Sequence, residues 1–167
     1  MPNWCINGMT VKGDPERIAE FIEEQKGLDY DHEGTVKGET ALTFETAVPM
    51  PRMLKGRKSP SDDDSMTWYD WSVENWATKW DACSSAVDYK SGKDFAFYQF
   101  DTAWSPPVTW FEKMVQFYPW LDFEIEWEEP GMGFAGKLAA TKGITGTMEE
   151  WDIVWDEEAD KYVKIAD

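Results

Sequence analysis

Residues 121–128 read Leu-Asp-Phe-Glu-Ile-Glu-Trp-Glu, an order that suits a β-strand with one dry face and little else. Side chains alternate across a strand, so Phe123, Ile125 and Trp127 share one side while Asp122, Glu124, Glu126 and Glu128 share the other. A slip of one residue would exchange the faces and bury four carboxylates, which pins the register. The acids then stand in a row, about 7 Å apart, on a face that points to water.

A strand of this kind needs partners, and the remaining chain supplies them in a repeated order. Asn3 to Gly13 holds the β-prone Trp4, Ile6, Thr10 and Val11 and runs into Asp14-Pro15, a helix cap followed by proline at the first helical position. Ile18, Phe21 and Ile22 form the apolar stripe of that helix, with Gly27 as its stop. Leu28 to Gly38 is aperiodic and reads as a loop, and Thr40 to Val48 alternates weakly as a second strand, with Leu42 and Phe44 on one side. The device recurs later. Asp94 to Ala103 carries aromatics on both faces, as a central strand covered on both sides would, and Trp104-Ser105-Pro106-Pro107 opens a helix lined by Val108, Phe111, Val115 and Tyr118.

Two strand, helix, strand units, at residues 3–48 and 94–128, predict an α+β fold of the ferredoxin-like split βαβ type, an antiparallel sheet with helices on one face. The chain is one domain over 1–167, within the size a single core supports. It carries an insertion at 49–83 and an acidic C-terminal extension at 144–167. In the insertion, a basic then acidic block at Arg52 to Ser65 reads as a mobile loop, followed by a Trp-rich helix. Ser84 to Ser91 suggests a short strand and Gly131 to Ile144 another, the glycines at 131, 133 and 136 serving a turn and tight packing. Glu149 to Ile165 is either a hairpin or a helix.

The Trp-rich helix begins at Asp70 or Ser72, and Val73, Trp76, Ala77 and Trp80 recur at the spacing of one helical face. Indoles at such spacing serve packing. Glu74, Asn75, Lys79 and Asp81 fall on the other faces. Glu74 and Asp81, seven residues apart, would lie roughly 10 Å apart on one side of the helix, and Lys79 would pair with Asn75 or Glu74.

Composition narrows the function classes. The net charge of −17, from 33 acids and 16 bases, opposes direct binding to nucleic-acid phosphates or an anionic membrane and favours basic partners. Cys5 and Cys83, the only cysteines, lack zinc or redox spacing, and His32 is the only histidine. No metal or cofactor is expected. The start of the chain lacks the pattern of an export signal and no stretch is apolar enough to span a bilayer, so the expected setting is the cytoplasm.

Several blocks carry a resemblance: Met1-Pro2-Asn3-Trp4-Cys5, Val48-Pro49-Met50-Pro51, Tyr69-Asp70-Trp71, Glu74-Asn75-Trp76-Ala77-Thr78-Lys79-Trp80-Asp81, Thr102-Ala103-Trp104-Ser105-Pro106-Pro107 and Gly131-Met132-Gly133-Phe134-Ala135-Gly136. In these the chain resembles the YubB-type ferredoxin-like domains of phages, prophages and conjugative plasmids. The resemblance implies a mobile-element protein acting in a bacterial host cell. It marks Trp71, Glu74, Asn75, Trp76, Lys79, Trp80 and Asp81 as family motif and assigns no catalytic residue. The acidic tail after Gly143 has no counterpart in it.

Three functions follow as expectations. The first is an acidic protein-binding domain that imitates nucleic acid and inhibits a basic host or defence protein, using Asp122, Glu124, Glu126 and Glu128; residues 122–167 carry thirteen acids against four bases. The second is a small enzyme or ligand-binding domain on the polar side of the Trp-rich helix, with Glu74 and Asp81 near Asp70 or Asp101. RNA binding on an open sheet through Phe95, Phe97 and Tyr98 is the third. Oligomeric state leaves no mark in the sequence.

Overall fold

Residues 1–31 and 34–166 are described by the computed structural model; His32, the lone histidine of the sequence reading, lies outside them. Strand β1 (Trp4–Lys12) buries Cys5, Asn7, Met9 and Val11 and turns Trp4, Ile6, Thr10 and Lys12 the other way. Helix α1 (Pro15–Gln25) starts as expected, with the Asp14 carboxylate accepting from the Glu16 amide at 3.0 Å and proline in the first turn. It buries Ile18, Phe21 and Ile22 but stops at Lys26 rather than Gly27.

Gly27 instead opens a hairpin, β2 (Gly27–Tyr30) with β3 (Val36–Thr40), in a segment expected to be a loop. Its strands are short and exposed, Leu28, Tyr30 and Val36 included, so no buried face marked them. The Thr40 and Ser85 hydroxyls meet beside it and tie the hairpin to β4 (Cys83–Asp88). Residues 41–48, expected to be a strand, form turns, yet Leu42 and Phe44 are fully buried.

Helix α2 (Trp68–Trp76) begins earlier than predicted. Thr67 is its cap, and the Thr67 and Asp70 side chains bond each other's backbone in a capping box. The helix buries Trp71, Ser72 and Trp76, leaves Val73 exposed, and ends at Ala77, whose φ of 65° is left-handed. Val73, Trp76, Ala77 and Trp80 therefore do not form one helical face, because Trp80 lies past the helix end. The strand β5 (Phe95–Ala103), helix α3 (Val108–Met114) and strand β6 (Asp122–Glu129) follow in the predicted order. β6 alternates as its sequence demands, with Phe123, Ile125 and Trp127 buried and the four acids exposed.

Beyond β6 come β7 (Phe134–Thr141), the two-residue β8 (Ile144–Thr145), β9 (Glu149–Asp156) and β10 (Lys161–Lys164). The acidic extension is thus a hairpin whose β9 adds to the sheet edge. Within the eight-stranded sheet the order is β10-β9-β7-β6-β1-β5-β4, with β8 paired to β7, and neighbours run antiparallel. The run β1, α1, β4, β5, α3, β6 with spatial order β6-β1-β5-β4 is the ferredoxin-like sandwich.

All three α-helices contribute to one core against the inner sheet face, where Phe21, Trp76, Trp110 and Phe111 meet Met9, Tyr98, Phe100 and Ile125. Gly136 marks the tightest spot there, since a Cβ on it would sit 2.4 Å from the Trp127 ring. With the helices gathered on that side, the opposite face of the central strands is left open to water.

Candidate functional site: the open face of the sheet

Strand register decides which side chains share the open face. Gly8 is paired with Gln99 on β5 and Glu126 on β6, Thr10 with Phe97 and Glu124, and Lys12 with Phe95 and Asp122. Ile6 stands between Asp101 and Glu128. β6 presents carboxylates throughout, whereas β5 and β1 mix the apolar Phe95, Phe97 and Ile6 with Gln99, Asp101, Thr10 and Lys12. Ile6 and Phe95 are 53% and 51% exposed, which is high for side chains of this size in central strands. Phe97 lies across β1, its ring edge 2.9 Å from where a Cβ on Gly8 would be, so the apolar surface reaches the strand next to the acids.

The four acids keep their charges for solvent. Among the described residues the ion pairs involve other carboxylates, such as Glu149 with Lys137 at 3.7 Å, and the one hydrogen bond to the row runs from Thr141 Oγ1 to Asp122 at 2.6 Å. Like charges about 7 Å apart repel one another modestly in water, and the register sets Lys12 opposite Asp122 and Lys137 opposite Glu126, although among the described residues neither lysine forms an ion pair with the row. At the Asp122 end the row borders a cleft of about 680 Å³ lined by Thr10, Lys12, Glu124, Ala139 and Ile144 among others.

The expectation of aromatics on both buried faces of β5 is corrected here. Tyr98 and Phe100 are in the core, whereas Phe95 and Phe97 belong to the open face. Tyr98 is consequently removed from any stacking surface.

The motif residues of the Trp-rich stretch assemble a brace. Trp76 donates its indole N–H to the Val48 carbonyl at 2.9 Å and packs edge-on against Trp71 and Phe44. Asn75 bonds the Trp71 carbonyl and accepts from Lys113 Nζ at 2.8 Å, joining α2 to α3. Lys79, expected to pair with Asn75 or Glu74, instead stacks its ammonium over Trp80, 4.6 Å from the ring centre. Trp80 in turn meets Trp4 at 6.2 Å.

Glu74 and Asp81 are not brought onto one side of a helix. Glu74 is exposed on α2, whereas Asp81 follows the left-handed turn, is partly buried and turns to residues 43–44. The Asp81 carboxylate accepts from Thr43 Oγ1, the Phe44 amide and the Ala82 amide at 2.6, 2.6 and 2.7 Å, which holds residues 43–45 in place. Burial pushes its pKa up to about 6 against the pull of these three donors, with Glu45 adding to the rise.

The folded value lies above the unfolded one of about 3.9. Between these values the folded protein keeps a proton that the unfolded chain has lost, so stability from this group declines as pH rises through the window and stays low above it. Urea melts at pH 4.5 and 7 test this. The stability of the wild type relative to Asp81→Asn is expected to be greater at the lower pH, and equal offsets at both would contradict it.

Burial raises the thiols of Cys5 and Cys83 to about 12 and about 11, so neither is a thiolate at neutral pH. No group of three or more His, Cys, Asp and Glu is placed to hold a metal ion among the described residues. A second cleft, of about 780 Å³, lies between the insertion and the start of α2, lined by Ser59, Ser65, Trp68, Tyr69 and Lys79 among others. Its hydroxyls are engaged locally, Ser59 with Thr67 and Ser65 with Asp63.

Sequence reasoning missed Glu129, the next residue after the acidic row. It is fully buried, and its carboxylate accepts from the Gly131 and Met132 amides at 2.9 and 2.7 Å, closing the turn into β7. The signal was present, since the alternation places position 129 on the dry face.

With the sheet order and its open face established, comparison with other proteins decides the family. Residues 75–167 match the sequence model of the ferredoxin-like domain in Api92-like protein. The chain belongs to this Api92-like family. The match runs to residue 167, so the acidic strands after Gly143, which had no counterpart in the sequence resemblance, lie inside the family's domain. The crystal structure of a protein api92 from Yersinia pseudotuberculosis is similar in fold, with a TM-score of 0.64 and 8% identity over 90% of this chain and 98% of that one. No curated protein matches the chain. Among the described residues no helix is long and apolar enough to cross a membrane.

Proposed function

We propose that this Api92-like domain is an acidic protein-binding module whose open sheet face occupies a basic surface of a host or defence protein in place of nucleic acid. The observation that carries this reading is the row Asp122, Glu124, Glu126 and Glu128, exposed and without cationic partners among the described residues, on a face the helices leave uncovered. A chain of net charge −17 adds long-range attraction toward such a surface. The resemblance to phage and plasmid domains supports a mobile-element setting, where a protein that blocks a basic cleft has use.

The RNA reading retains Phe95 and Phe97 but loses Tyr98 to the core, and phosphates over this face would meet the β6 carboxylates. The enzyme reading loses the Glu74 and Asp81 pair.

Binding to a lysine- and arginine-rich peptide and to DNA and RNA, each at low and physiological salt, tests the proposal. Peptide binding is expected to weaken about tenfold or more between 50 and 200 mM salt, as screening of exposed charges requires, with no gel shift of either nucleic acid. Submicromolar binding of DNA or RNA at physiological salt, or peptide affinity indifferent to salt, would overturn it.

A further inference from the structure

The apolar strip beside the acids specifies the partner more closely. Resting on the protein-binding reading above, we infer that the open face receives an amphipathic basic helix, with its lysines or arginines on β6 and its apolar side chains on Ile6, Phe95 and Phe97.

Three features of the surface lead there. Along β6 the open face is carboxylate at every position, while β5 and β1 offer Phe95, Phe97 leaning over Gly8, and Ile6 beside the polar Gln99, Asp101, Thr10 and Lys12, so the occupant carries a basic stripe on one side and apolar groups on the other. Strands lie about 4.8 Å apart and a helix is about 10–12 Å wide, so one helix aligned with the strands covers β5, β1 and β6 together. Carboxylates about 7 Å apart match cations at i and i+4 on a helix, which rise about 6 Å, and the full row corresponds to roughly 14 residues of helix.

Strand β1 itself adapts to this arrangement. Gly8 lacks a side chain where Phe97 leans over it, so the apolar stripe continues up to Glu126 without a ridge between. At the Trp4 end, Trp104 is held beside Asn3 by a hydrogen bond from its amide to the Asn3 carbonyl at 2.9 Å, with a left-handed φ of 74° and its indole half exposed. A second copy of this chain is a poor occupant, since it would bring a net charge of −17 and the same row of acids.

Two synthetic peptides of about 14 residues, made from the same lysines, leucines and alanines, serve as probes; one is ordered as an amphipathic helix and the other scrambled. At physiological salt the ordered peptide is expected to bind about tenfold more tightly, the effect of burying one or two exposed apolar side chains. The protein variants Phe95→Ser and Ile6→Ser should abolish that preference while leaving the salt dependence in place, and Met53→Ser, exposed elsewhere, should change nothing. Equal, salt-dependent affinity for both peptides overturns the helix inference and leaves the acidic docking reading standing. Salt-independent binding, or none, overturns both. Tighter binding of single-stranded RNA than of either peptide assigns the strip to base stacking and also overturns the inference.

Discussion

Trp76→Ala is expected to lower stability by about 3–5 kcal/mol, as for other large buried aromatics. The indole is 3% exposed, contacts Phe44 and Trp71 edge-on, and gives its N–H to the Val48 carbonyl, so truncation opens a cavity and leaves that carbonyl unpartnered. It also loosens residues 41–48, which have no strand or helix of their own and depend on side chains for their course. Trp80→Ala should cost less than Trp76→Ala, because Trp80 is only partly buried, lies past the helix and meets Trp4 and Lys79 instead. Denaturant melts of the two variants measure the difference. Equal losses would place both indoles on a common buried face, as the sequence periodicity suggested.

The second large effect concerns binding rather than folding. Changing Asp122 to Asn and Glu124, Glu126 and Glu128 to Gln should leave the fold intact, because the opposite side of β6 supplies the burial and the four acids supply none. Removing four neighbouring like charges should hold the melting temperature level or raise it. Affinity for a basic peptide should fall by about thirtyfold at low salt, from about 0.2–1 kcal/mol for each exposed charge pair, and the residual binding should depend less on salt. Calorimetry at two salt concentrations reads both quantities. A quadruple variant that unfolds would make the row structural, and one that binds with unchanged affinity would move the docking surface elsewhere.

The acidic row was legible in the sequence because β6 separates its two faces by chemistry at every position. The helix start at Asp14-Pro15 was legible for a similar reason, since proline and a preceding cap act locally; α3 starts after Pro106-Pro107 with Pro107 itself in the cap position and no side-chain cap, the Ser105 hydroxyl donating to the Ala77 carbonyl instead. Residues 41–48 were not. Leu42 and Phe44 alternate as in a strand, but their backbone is held by the Asp81 carboxylate almost forty residues away, a partner that no local pattern reveals.

Helix α2 was legible as a helix and misplaced in phase. Its capping box uses Asp70 where Glu is the familiar signal, and its left-handed end falls on alanine where glycine is expected. An open sheet was expected, but which aromatics of β5 belong to it was not legible, because aromatics stand on both sides of that strand. Only the sheet order and the gathering of helices on one side show that Phe95 and Phe97 meet water.

Amide chemical-shift mapping of isotopically labelled protein, titrated with a lysine- and arginine-rich peptide at low salt, tests the central claim most directly. The account predicts shifts concentrated on β6 from Asp122 to Glu128 and on the facing positions Ile6, Gly8 and Thr10 of β1, fading as salt is added. Shifts confined to the acidic hairpin of β9 and β10, or to the insertion between Arg52 and Ser65, would contradict it and show the open face to be an idle surface.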